Sequence, residues 1–105
     1  MKKILLISRE SLQTERFMRH VRDHQAKNEL NYEIEIAYYP KHLVTVDAWK
    51  PDFVLLSTEV IVWKPDIEKE LKERGIGCAL VKGSHYGTAQ VLRIFQDSVP
   101  KELQP

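Results

Sequence analysis

Ser8 is placed where a side-chain hydroxyl could meet a phosphate. It ends the aliphatic run Lys2-Lys3-Ile4-Leu5-Leu6-Ile7, which reads as a buried strand, and Leu12–Ala26 then reads as a helix. A strand, a tight loop and a helix N-terminus bring backbone N–H groups and the positive end of a helix dipole to one point, the usual anion site of an open α/β sheet. A thiol or hydroxyl at the strand end would sit over that cradle. Here it is a hydroxyl, which needs a neighbouring base to become a nucleophile, and no base is evident near Ser8. The following loop carries no glycine.

Other residues with chemical potential read more simply. Arg9 and Arg16 could contact an anion or be solvated charges. His20 and His24 stand four apart on the helix, a metal-like spacing, but no third ligand follows and the glutamate of an HExxH pattern is missing. No metal site and no cofactor is expected; His20 should be solvated and His24 should border the apolar stripe. Cys78, followed by Ala79-Leu80-Val81, reads as a buried, inert thiol. Trp63 precedes Ile67 by four and reads as core, whereas Trp49 suits either core or a partner surface.

These residues need elements to hold them. Ile4–Ile7, Phe53–Leu56 and Cys78–Val81 are continuous apolar runs, the mark of parallel strands covered on both faces. Residues 32–38 mostly alternate, as at a wetter sheet edge. Phe17, Met18 and Val21 form one helical stripe, Trp63, Ile67 and Leu71 a second, and Val91, Leu92 and Phe95 a third. Pro65 suits the first turn of the second helix and Gly75 its stop. The pairs Lys64–Glu68, Glu68–Lys72 and Glu70–Arg74 should face water. Residues 40–50 read as a loop with at most one helical turn, and residues 100–105 should fray. The β-α order, repeated four times, predicts an α/β three-layer sandwich around a four-stranded parallel sheet.

Bulk properties narrow the choices. A chain of 105 residues, 43% hydrophobic, suits one domain, placed at residues 1–99 ahead of the tail. Sixteen basic residues face fifteen acidic ones, so charge gives no reason to expect nucleic acid or an anionic membrane as partner. No apolar run reaches the ~20 residues of a membrane span. The Met-Lys-Lys start, with four aliphatic residues after it, is too short for a secretory signal. One cysteine excludes an internal disulfide and suits a reducing cytoplasm.

Over residues 1–99 the chain resembles the enzyme IIB subunits of the bacterial sugar phosphotransferase system, in the lactose/cellobiose (chitobiose) family. That family opens with Lys-Lys-Ile, an aliphatic strand and Cys-Ala-Ala-Gly-Met-Ser-Thr; here the order is Lys2-Lys3-Ile4-Leu5-Leu6-Ile7, then Ser8-Arg9-Glu10-Ser11-Leu12-Gln13-Thr14. The family's Asp-x-Val-Leu-Leu-Gly-Pro-Gln-Val corresponds to Asp52-Phe53-Val54-Leu55-Leu56-Ser57-Thr58-Glu59-Val60. Its Gly-Ile-Pro-Val and Asp-Tyr-Gly correspond to Gly75-Ile76-Gly77-Cys78 and His85-Tyr86-Gly87.

The resemblance implies strand order 2-1-3-4, a cytoplasmic location, and a IIA protein and a IIC membrane transporter as partners, with no insertion of this chain into the membrane. It implies a phosphotransferase in which a cysteine takes phosphate from a IIA histidine and passes it to sugar at IIC. It places the phosphoacceptor at Ser8, the phosphate loop at Arg9, Glu10, Ser11, Leu12, Gln13 and Thr14, and neighbouring loops at Glu59, Tyr86 and Gly87. The substitutions oppose that chemistry. An alcohol replaces a thiolate at Ser8, and a phosphoserine ester is hard to pass on. Ser11 replaces a glycine. Glu10 adds a charge that repels phosphate, and Glu59 adds another if it faces the loop. Thr14 is retained as a hydrogen-bond donor.

Three functions follow as expectations. The first is a degenerate IIB-like domain acting through partners or regulation. The second is a working carrier relaying phosphate from IIA to sugar at IIC. The third is an unrelated small anion- or ligand-binding module. A tyrosine-phosphatase reading fails, because its Cys-x5-Arg signature would need a cysteine at Ser8 and an arginine at Thr14.

Overall fold

The computed structural model describes all 105 residues. Alternation along β1 (Lys3–Ser8) sends Ile4 and Leu6 to one face of the sheet and Leu5 and Ile7 to the other. Each face is covered, so the strand is apolar from Ile4 to Ile7. On the first face Ile4 and Leu6 join one apolar cluster with Phe17 and Val21 of α1 (Leu12–Ala26) and Ile94 and Phe95 of α5 (Val91–Ser98). On the second, Leu5 and Ile7 join Val46 of α2 (His42–Trp49) and Ile67 and Leu71 of α3 (Lys64–Glu73). The remaining strands are β2 (Glu33–Tyr38), β3 (Phe53–Leu56) and β4 (Gly77–Leu80), and a short α4 spans Gly83–Gly87. All pairings are parallel and the order is β2-β1-β3-β4, the expected three-layer α/β sandwich. No helix is long and apolar enough to cross a membrane.

Register is what builds the site. Ile7 pairs with Leu56, and Ser57 N–H donates to Ile7 O at 3.1 Å, so Ser8 and Ser57 end side by side at the C-terminal edge of the sheet. Helix N-termini reach the same edge, as they must when each parallel strand leads into a helix.

Several local expectations need correction. Residues 40–50 hold an eight-residue helix, α2. Its apolar anchors are Val46 and the buried ring of His42, with Leu43 and Trp49 partly buried; a polar residue in the stripe and an exposed Val44 hide the helical period. α3 does not turn all its charges to water: Glu70 Oε1 lies 2.9 Å from His42 Nε2, and Arg74 Nε donates to Asp47 at 2.6 Å, both across to α2. Trp63 ends a 3-10 turn, Thr58–Trp63, and is only partly buried. In α5 the buried partner of Val91 and Phe95 is Ile94, while Leu92 faces outward. β4 is an edge strand, so Cys78 is half-buried, and desolvation raises its thiol pKa. His20 is likewise half-buried. The tail is held: Lys101–Leu103 forms a 3-10 turn, and Gln104 Nε2 donates to Val99 O at 2.8 Å.

Candidate functional site

Five hydroxyls and one carboxylate meet where β1 and β3 end and α1 begins. Ser8, Thr14 and Ser57 are 0% exposed and Tyr86 is 1% exposed. Ser8 Oγ lies 2.6 Å from Ser57 Oγ, 2.9 Å from Thr14 Oγ1 and 3.3 Å from Tyr86 OH. Thr14 Oγ1 lies 2.8 Å from Tyr86 OH. Glu59 closes the cluster. Its Oε2 accepts from Ser11 Oγ at 2.9 Å, from Thr14 Oγ1 at 3.0 Å and from Tyr86 OH at 3.5 Å.

Each member is positioned by its local structure. Ser11 caps α1, its Oγ accepting from Thr14 N–H at 3.1 Å. That cap turns Thr14 inward, one turn before Phe17. Ser57 caps the following 3-10 turn, accepting from Glu59 N–H at 3.2 Å, and so aims Glu59 back at α1. Tyr86 descends from α4, its ring packed 4.8 Å from Phe17 and its hydroxyl reaching Thr14. Burial raises the Tyr86 phenol above its ordinary range, and the nearby Glu59 charge adds to this; hydrogen bonds from Ser8, Thr14 and Ser57 pull the other way. The phenol therefore stays protonated and available as a donor.

The other predicted residues fall outside this cluster. Arg9 and Glu10 are exposed; the Arg9 guanidinium lies 5.1 Å over the Trp63 ring, and that ring stacks at 4.4 Å on Tyr39. Leu12 is 83% exposed, and Gln13 faces out beside Gly87. Arg16 donates to Gly87 O at 3.3 Å. His24 Nδ1 meets Glu29 Oε1 at 2.9 Å. A cleft of ≈ 450 Å³ runs past Arg9, Glu10, Tyr38, Tyr39 and Lys41, but neither it nor any other cleft is lined by Ser8, Thr14, Ser57 or Tyr86.

Ser57 is the member that sequence reasoning missed. It ends β3 as Ser8 ends β1, and two central parallel strands deliver their terminal residues to the same place. Applying to β3 the rule that singled out Ser8 would have found it.

A solved structure matches this architecture: the lactose-specific IIB component domain of the phosphoenolpyruvate:carbohydrate phosphotransferase system from Streptococcus pneumoniae. The TM-score is 0.64 at 16% sequence identity, over 90% of this chain and 98% of that one. The chain has the fold of a IIB domain. No protein-family model matches the sequence, and no curated protein does. On this fold the Ser8–Thr14 loop and the Ser57–Glu59 turn converge on one point. Chemically, that point offers hydroxyl donors directed at a carboxylate the chain itself supplies.

Proposed function

We propose that this chain is a IIB-like domain of a phosphoenolpyruvate-dependent sugar transport system that works by binding partners and carries no phosphate. Glu59 is the observation that supports this reading. The hydroxyls of Ser11, Thr14 and Tyr86, which could hold phosphoryl oxygens, already hold its carboxylate. A phosphoryl group brought there would meet filled donors and a like charge. Ser8 lies beneath them, out of contact with solvent.

A partner-binding role draws support from the rim around the site. Five of the seven exposed large hydrophobic residues, Leu12, Tyr38, Val44, Ile61 and Val62, follow or end strands at the C-terminal edge of the sheet. Arg9, Lys41 and Lys82 stand at the same edge, and none is in an ion pair. An apolar surface edged with free cations suits an acidic-rimmed protein partner. The partners this reading names are a IIA protein and a IIC transporter, met in the cytoplasm.

One contact favours the second reading, a working carrier. Ser8 touches Thr14, and Thr14 touches Glu59, so a proton leaving Ser8 has a two-step route to a carboxylate base. A reconstituted relay decides between the two. The chain is incubated with phosphoenolpyruvate, enzyme I, HPr and a matched IIA protein, then weighed intact by mass spectrometry. The expected result is an unchanged mass. A stable phosphate on Ser8 would overturn the proposal and make the chain a phosphoserine carrier.

A further inference from the structure

The two edges of the sheet are finished differently. At β2 the side chains of α1 cover the edge: Arg22 Nη1 donates to Ile34 O at 2.8 Å, and Gln25 Nε2 donates to Tyr32 O at 3.1 Å. Glu33 N–H donates inward to Lys2 O, so in a parallel ladder the groups of Ile34 face outward, and these side chains cap the free side of the strand. Exposed Glu33 and Glu35 add charge to the same edge. Caps and charges are how sheets block unwanted pairing.

At β4 neither device is present. Its sequence is Gly77-Cys78-Ala79-Leu80, without charge or proline, and Cys78, Ala79 and Leu80 are half-exposed. Val81 N–H donates inward to Leu56 O, so alternation turns the backbone groups of Cys78 and Leu80 outward. No side chain and no loop backbone bonds to them. The flank is neutral rather than repulsive: Lys64 and Glu68, joined at 3.1 Å, are the charged neighbours that act on Cys78.

We propose that β4 is a self-association edge, where a second copy of this chain adds its own β4 antiparallel across a twofold axis to give an eight-stranded sheet. The pairing is self-complementary. With Cys78 opposite Leu80 of the copy, and Leu80 opposite Cys78 of the copy, every outward N–H and C=O of the two strands finds a partner, and Ala79 faces Ala79 of the copy on the axis. An unrelated peptide could also add to this edge. The second copy is the occupant favoured here, because the same register satisfies both strands at once and brings together flanks of mixed sign. Four residues make a short seam, so the dimer is weak and concentration-dependent.

Analytical ultracentrifugation of the intact chain, from about 10 μM to about 1 mM, reads this directly. The average mass should climb toward twice the monomer. Cys78→Pro deletes one outward N–H and none that bonds β3, and should hold the mass at the monomer value with the circular dichroism spectrum unchanged. Register is read separately by mild oxidation. Ala79→Cys in a Cys78→Ser background should cross-link efficiently, because facing non-hydrogen-bonded residues come within disulfide reach. The native Cys78, staggered by two residues from its copy, should not. A monomer at every concentration overturns the proposal, and so does Ala79→Cys cross-linking no better than Cys78.

Discussion

Replacing Glu59 by alanine removes the carboxylate that Ser11, Thr14 and Tyr86 share, and leaves their hydroxyls directed at an empty, partly buried space. Phosphate or sulfate should then bind at the start of α1 with a dissociation constant on the order of millimolar. Titration of the Ser11–Thr14 amide shifts would read it, and the unaltered chain should show no saturation over the same range. Equal binding by the two proteins would show that Glu59 does not block the site. At this scale the sequence was partly legible. Ser8 could be located because it ends an unbroken aliphatic strand, and Thr14, Glu59 and Tyr86 because motifs place them on neighbouring loops. Their mutual contacts could not be read, since whether Glu59 turns inward or toward water depends on the Ser57 cap, which is a matter of backbone direction rather than residue type.

Among the elements, α2 was the least legible and offers the sharpest mutational contrast. Val46 is 1% exposed and Val44 is 73% exposed, on the same two turns. Val46→Ala should cost about 2 kcal/mol, the usual penalty for emptying a packed aliphatic position, whereas Val44→Ala should stay within about 0.5 kcal/mol. Denaturant unfolding of both variants checks this, and equal losses would contradict the observed packing. The continuous runs of β1 and β3 were legible because burial on both faces leaves no polar residue in them. α2 was not, because its inner stripe includes His42, whose ring stacks on Tyr39 at 5.3 Å and meets Glu70. β4 shared the apolar signature of a central strand, and only topology makes it an edge.

At the scale of the whole molecule, the apolar clusters lie on the two faces of the sheet and the exposed apolar rim lies at its end. A rim substitution should therefore separate binding from stability. Val62→Glu, at a residue 77% exposed, should shift unfolding by no more than about 0.5 kcal/mol. It should weaken binding of a IIA protein about tenfold or more, because it sets an acid against an acidic-rimmed partner. Calorimetric titration against the unaltered chain measures the difference, and unchanged affinity would remove the rim from the proposed interface.

The hydroxyl cluster also has a direction. Glu59 can only accept, so Thr14 must spend its single proton on the carboxylate and receive from Tyr86 or Ser8. Ser57 Oγ accepts from Glu59 N–H and lies 2.6 Å from Ser8 Oγ, a contact in which either hydroxyl can donate. One negative charge thus fixes the direction of the Thr14 hydroxyl beside it and turns the Ser11 hydroxyl the same way, as a field aligns dipoles. Without it each hydroxyl could point either way, and the cluster would acquire the proton disorder of ice. Glu59 supplies orientational order to a place where hydroxyl side chains alone would leave several arrangements of equal energy.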